Sequence, residues 1–280
     1  MTRAIPKYDD YKLIGRTRMD ATLALAISDP LLIARGLVDG ASIIFAMGEF
    51  ESGSIDVDGE DVCRWADVSG PPRLPAPNAA GEQMTVASDN NADNGATATG
   101  AMSIRIYYLD DTGAEQTEDV TLNGTTPVDT VATNIRFVND IHTLTVGSNG
   151  VAEGNITVIK KGGTIGANLY NLIAAGGNKS LVPHRMVPLG KTLYLQSWHC
   201  EQSTANKRAA FRIRSTDMYG VLVSGVFCFK DTVYIGQGSS GSQDLRGTPV
   251  PALSIVKVSQ WSDTIGTEGS CGWWGILFDD

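Results

Sequence analysis

The stretch Asp89-Asn90-Asn91-Ala92-Asp93-Asn94-Gly95 has the residue types of a cation loop. Oxygen side chains stand at alternate positions 89, 91 and 93, the spacing with which hard ligands surround calcium. The glycine arrives one residue late, however, and Gly100 takes the place of the bidentate glutamate, so an EF-hand is excluded. The stretch reads first as a polar turn and second as a loose cation site. Gly236-Gln-Gly238-Ser-Ser-Gly241 matches GxGxxG after a strand over Val233 to Ile235. A dinucleotide site needs a helix next, whose N-terminus holds the pyrophosphate. Pro249 and Pro251 follow instead, and the segment is expected to be an exposed loop. Asp56, Asp58, Glu60 and Asp61 read as a solvated hairpin around Gly59.

His142, His184 and His199 show no metal-ligand spacing, and no GxSxG elbow is present. Cys63, Cys200, Cys228 and Cys271 contain no CxxC pair, so four reduced thiols are expected in preference to a disulfide. We therefore expect no catalytic residues, no metal and no cofactor. The candidate interaction residues are cationic. Arg208, Arg212 and Arg214 fall on one face of a strand, with Lys207 beside them, and can dock carboxylates of a neighbouring subunit or a glycan. An ordinary solvated face is the plainer alternative. Arg3, Lys7, Lys12, Arg16 and Arg18 make the segment Met1 to Arg18 locally basic against Asp9 and Asp10. Trp198, Trp261, Trp273 and Trp274 can stack on sugar or fill a core, and core packing is the commoner role.

The elements that must position these residues are strands. Ser103 to Leu109 alternates, with Ile104, Ile106 and Tyr108 on one face and Ser103, Arg105 and Tyr107 on the other. Asp110-Asp111-Thr112-Gly113 suits a tight turn, after which Glu115 to Leu122 pairs back with Val120 and Leu122 inward. Asn123-Gly124 predicts a two-residue hairpin. Asn155 to Ile159 is a further strand after the glycine-rich 147–154 turn. Val128 to Asp140 fits both periods, and its Thr, Val and Ile favour the strand. The 20–28 run fits either a helix capped by Asp20 or an alternating strand, and leans to the strand because Pro30 soon breaks a helix.

Nearer the C-terminus, Leu193 and Leu195 are set against Tyr194, Gln196 and Trp198. Val221, Val223, Phe227 and Phe229 are placed on one face, and Leu253 and Ile255 against Val256 and Val258. Gly272 to Phe278 reads as a strand buried on both faces. Pro71 to Pro77 is the best linker.

At 280 residues and 42 % hydrophobic, the chain can form one large or two ordinary domains. Charged residues make up only 19 %, and 31 glycines fit a loop-rich β protein. The net charge of −9 argues against direct DNA binding, which leaves a basic footprint. No stretch has the length of a membrane span, and no secretory signal is recognised at the N-terminus. The expected fold is all-β: an antiparallel β-sandwich, jelly-roll-like, with two packed sheets drawn chiefly from residues 84–280 and an extended N-terminal arm. The expected division is an arm and attachment segment over 1–50, a β-rich meander over 51–165 and a C-terminal sandwich over 166–280.

The run SDNNADNGATATGAMSIRIYYLD, followed by EDVTLNGTTPVDT and GSNGVAEGNITV, resembles accessory virion structural proteins of tailed bacteriophages, many of them marine. The matching residues are Ser88, Asp89, Asp93, Gly95, Gly100, Ala101, Leu109, Asp110, Glu118, Val120, Leu122 to Thr125, Val128, Gly147, Ser148, Gly154, Ile156 and Thr157. A second stretch near Asn168 to Leu195 resembles phage β-sandwich proteins. The N-terminal segment departs from the pattern. The resemblance implies a non-enzymatic virion protein assembled in the host cytoplasm: a capsid decoration or head-fibre protein, or else a neck or tail component such as a fibre or adaptor. It implies a major capsid protein or other virion proteins as partners, and a homo-oligomer with a trimer favoured. The Trp and Tyr content and the sandwich fold also permit an alternative, a glycan-binding module on the virion with a host surface glycan as ligand; neither DNA nor membrane is an expected partner.

Overall fold

The computed structural model describes residues 29–51, 60–61, 78–95, 99–223, 225–236, 239–264 and 266–280. The basic arm with Arg3, Lys7, Arg16 and Arg18, the 20–28 run, positions 56–59 of the acidic cluster, Cys63 and the Pro71–Pro77 linker lie outside them. Strand makes up 57 % of the described residues and all sheets are antiparallel, so the mainly-β expectation holds. The two described helices are a single turn each: α1 (Pro30–Ala34) and α2 (Ile165–Asn168). Pro30 opens α1 and does not break it. It occupies the first turn, where its missing N–H costs nothing, and Asp29 caps the end by accepting Leu31 N–H at 2.9 Å.

In chain order the described strands begin with β1 (Ala41–Glu51), β2 (Glu60–Asp61), β3 (Met84–Ser88), β4 (Ala101–Asp110), β5 (Glu115–Thr121) and β6 (Val128–Asp129). Then come β7 (Ile135–Val146), β8 (Ile156–Lys160), β9 (Leu169–Ile173), β10 (Arg185–Met186), β11 (Lys191–Gln202) and β12 (Ala209–Ser215). The last are β13 (Asp217–Met218), β14 (Val221–Leu222), β15 (Cys228–Ile235), β16 (Ser240–Val250), β17 (Ile255–Ser262) and β18 (Glu268–Asp279).

They build two sandwiches where one was expected. In the first, sheet β6-β3-β8-β9 faces sheet β5-β4-β7. Their inner faces share one core, with Met84, Val86, Ile156 and Val158 from one side and Ile104, Ile106, Val120 and Ile141 from the other. In the second, sheet β1-β18-β11-β16 faces the sheet of β10, β17, β12 and β15, with β2 also on β17. Leu193, Leu195, Trp198, Trp273 and Leu277 there meet Phe211, Ile213, Val233, Val256 and Val258. β1 runs the full length of β18, from Ala41 opposite Phe278 to Glu51 opposite Glu268. Residues 41–50, grouped above with the arm, thus contribute an edge strand of the second sandwich. β9 lies past the expected boundary at 165, yet it pairs with β8 in the first.

Several local expectations change for physical reasons. Asn123-Gly124 turns the chain but makes no hairpin. Gly124 (φ 59°) donates to Asp93 O and its carbonyl accepts Ser88 N–H, so the chain crosses to the opposite sheet, where β6 pairs with β3. The expected meander is therefore a sandwich whose strands alternate between sheets. Trp198, placed opposite Leu195 by strict alternation, shares its core because a bulge between Leu195 and Ser197 inserts a residue and reverses the parity. Val221, Val223, Phe227 and Phe229 do not form one strand face. A two-residue hairpin strand ends at Leu222, and β15 starts only at Cys228. Leu253 sits in a turn at φ 62°, and Ile255, Val256 and Val258 are all buried, because β17 is covered on both faces.

Candidate functional site: the cleft between the sandwiches

The cation-like loop has the opposite chemistry to a metal site. Asp93 is fully buried and its carboxylate is consumed by donors. Oδ1 accepts the N–H groups of Ala101 (2.7 Å) and Glu153 (2.9 Å); Oδ2 accepts Gly154 N–H (2.8 Å) and the Ser88 hydroxyl (2.6 Å). A cation's ligands present lone pairs, whereas these present hydrogens, so the loop is a staple joining three segments. Asp89 does the same at the surface, holding Asn155 through N–H and Nδ2 at 2.8 Å each. Among the described residues no group of three His, Cys, Asp or Glu is placed to hold a metal ion.

The remaining candidates separate. Arg212 and Arg214 lie on the outer face of the second sandwich, each with its guanidinium carbon 5.5 Å from the Phe229 ring centre, while Arg208 is exposed before β12. Trp198 and Trp273 are buried, with indole N–H groups donating to Asp231 Oδ2 and Pro183 O at 3.0 Å. Trp274 is half-buried on the opposite face from Trp273, under α1, as the alternation requires. His184 is a core histidine: its Nε2 donates to Val138 O (3.0 Å), and burial drives its pKa down to about 3. Cys200 and Cys271 are free thiols, buried opposite one another on β11 and β18, and burial pushes Cys200 up to about 12. Gly236 follows β15, and the chain then enters β16, a strand of the facing sheet that holds Gly241, and not a helix.

What the tertiary structure adds is a cleft of about 510 Å³ where the two sandwiches meet. Its floor is the outward face of β4, β5 and β7, carrying Tyr107, Glu115, Thr117 and His142; its wall is β1 at Ile43 to Phe45, and Lys179 and Arg185 also line it. The Tyr107 and His142 rings form a tilted pair, centroids 5.1 Å apart, with Tyr107 Oη 3.5 Å from His142 Nε2. Asp140 receives Arg185 Nη2 at 2.7 Å, with Lys179 Nζ at 3.8 Å. The same Arg185 Nη2 donates to Phe45 O at 2.9 Å, tying the floor to the wall.

The joint beside the cleft is fastened by distinct kinds of bond. Asn139 and Met186 exchange two hydrogen bonds, Asn139 Nδ2 donating to Met186 O and Oδ1 accepting Met186 N–H. Leu189 N–H donates to Gly113 O at 2.9 Å. Lys191 reaches Glu115 at 3.1 Å and Asp279 at 3.3 Å. Burial alone lowers the pKa of Lys191, but the bonds to those two carboxylates outweigh it and hold the ammonium above its ordinary value. Leu109 and Phe137 from the first sandwich pack against Met186 and Ile255 from the second. Sequence reasoning missed this cleft. Alternation places Tyr107 on the outer face of its strand, His142 stands in no metal-ligand spacing, nothing in the sequence singles out Phe45 or Lys179, and only the docking of two sheets brings the four together.

No family model matches the chain, and no curated protein matches it. Similar solved structures include infectious bursal disease virus Gt strain, at 12 % identity and TM-score 0.20, covering 85 % of this chain and 72 % of that one. A crystal structure of the infectious bursal disease virus VP2 subviral particle has 9 % identity and TM-score 0.19, covering 86 % and 73 %. At these scores the likeness carries no argument about this chain.

Proposed function

We propose that this chain is a non-enzymatic structural accessory protein of a tailed-phage virion, a capsid decoration or head-fibre protein on the outer surface. The observation that carries the reading is where the phage-like residues lie: they are the joints of the first sandwich. Asp93 is its four-bond staple, and Asp110 closes the β4–β5 turn by accepting from Thr112 N–H, Thr112 Oγ1, Ala114 N–H and Gln116 Nε2. Glu118 holds the 131–132 loop by accepting Val131 and Ala132 N–H. Gly100 and Gly154 leave the space that Asp93, Asp89 and Ser88 occupy. The resemblance is thus one of architecture, as suits a virion module. A net charge of −9 suits an outer surface better than contact with packaged DNA, whose phosphates it repels. Its partners in this reading are the major capsid protein or other virion proteins, and further copies of itself, as a trimer.

Quantitative mass spectrometry of purified particles tests this. Tens to hundreds of copies per particle are expected for decoration. A single ring's worth of copies supports the alternative neck or tail location, and absence from particles refutes both.

A further inference from the structure

We propose that the cleft between the two sandwiches is a saccharide site that takes one or two residues of a neutral glycan. Four observations converge on this chemistry. The volume, about 510 Å³, falls inside the roughly 300–1,000 Å³ of small-ligand sites, and the position at a junction of two packed units is where such sites concentrate.

The lining also balances its own charge. Its two carboxylates, Asp140 and Glu115, are set against its two cations, Arg185 and Lys179, both of which reach Asp140, while Lys191 beside the cleft is shared between Glu115 and Asp279. A charged ligand competes with these pairs, whereas an uncharged one leaves them intact. The remaining surface mixes donors and acceptors, among them the Thr117 hydroxyl, the His142 ring and the carboxylates, with the faces of Tyr107 and Phe45. A sugar ring meets both requirements at once: its hydroxyls donate and accept, and its C–H face packs on an aromatic ring. Phe45 is 54 % exposed, an apolar surface left uncovered beside polar groups.

Finally, the joint bonds fix the two walls relative to each other before any ligand arrives, which lowers the ordering cost of binding. This inference stands apart from the virion reading, since it concerns what the purified chain binds and not where the chain is carried.

The experiment is saturation-transfer-difference NMR on the full chain with lactose, maltose, cellobiose and N,N′-diacetylchitobiose, alongside sialyllactose and glucuronic acid. At least one neutral disaccharide is expected to bind saturably at a Kd of about 10 mM or tighter. Tyr107→Ala and Phe45→Ala are each expected to weaken that binding about tenfold or more. Tyr234→Ala, 76 % exposed and not part of the cleft lining, leaves it unchanged. Thermal melts of each variant separate lost folding from lost binding, and Phe45→Ala, at an exposed position, is the variant expected to keep its melting temperature. Binding of none of the neutral probes, binding of the acidic probes alone, or binding that survives both cleft substitutions overturns the proposal. Any of those results leaves the particle copy number, and with it the virion reading, untouched.

Discussion

The two sandwiches reach stability by different means. The first closes over a short span of sequence, with an aliphatic core of Met84, Ile104, Ile106, Ile135, Ile141 and Ile156 and loops held by buried polar staples such as Asp93 and Thr130. The second makes one whole sheet of strands eleven or twelve residues long, β1, β18, β11 and β16, and packs it around Trp198, Trp273 and Phe211. It also brings Ala41 against Phe278, from nearly opposite ends of the sequence. Polar staples hold the loops of the first throughout; aromatic volume and long-range pairing dominate the second, where Asp217 plays a comparable part at one turn by accepting from Ser215, Gly220 and Lys230. The contrast teaches that two regions of one chain with the same architecture fail for different reasons when altered.

The largest expected effect is in the second sandwich. Trp198→Ala removes a side chain that is only 1 % exposed and leaves a cavity, at a cost of about 4 kcal/mol. The four described tryptophans all lie in this sandwich, so their fluorescence in a denaturant titration reports its loss directly. In the first sandwich Asp93→Ala leaves three backbone N–H groups and the Ser88 hydroxyl without their acceptor, at a cost of about 3 kcal/mol. Hydrogen exchange should show protection lost first at Ala101, Glu153 and Gly154, while the tryptophan signal lags. If Asp93→Ala perturbed both sandwiches equally, the two would not be independent in their means of stabilisation.

A smaller effect tests the joint. The folded pKa of His184 is depressed from 6.5 to about 3, so the unfolded chain binds a proton that the folded chain refuses. The associated stability is fully present above pH 6.5 and is lost as pH falls from there towards 3. Between pH 6 and 5 the loss is about 1 kcal/mol, and His184→Gln should flatten this part of the pH–stability curve. The smallest effect is expected at Lys191, which is partly exposed and pairs with exposed carboxylates: Lys191→Met should cost less than about 1 kcal/mol, and less still at high salt. An equilibrium denaturation series in salt measures it.

What the sequence made legible follows the same division. The inward set Ile104, Ile106 and Tyr108, the Asp110–Gly113 turn and the inward Val120 and Leu122 are all as the alternation predicts, because hairpin neighbours carry their register in local pattern. The partner of β1 was not legible, since a strand paired across more than 200 residues bears no local mark of its mate. Nor was the bulge at Gln196, which a strict period of two cannot contain. The Asp89–Gly95 loop shows a subtler limit. Side-chain oxygens at alternate positions are common to a cation loop and an N–H staple, and only the groups facing them distinguish the two. The cleft was invisible for a third reason: its residues sit on outward faces of sheets that meet only through the joint.

The antiparallel pairing of β1 with β18 has a mechanical consequence. Ala41 lies opposite Phe278, so a load applied across Ala41 and Asp279 enters the ladder at one end. Hydrogen bonds loaded in this way break one after another, as a zipper opens, and do not share the force as they would in shear. The strand pair that closes the second sandwich is therefore a mechanically soft seam. Peeling it would uncover β18 and the Trp274 face, with the first sandwich still intact. A single-molecule pull across those two points should record an early, low-force step that lengthens the chain by roughly the span of β1 (at ~3.4 Å per residue), ahead of any rupture in the first sandwich.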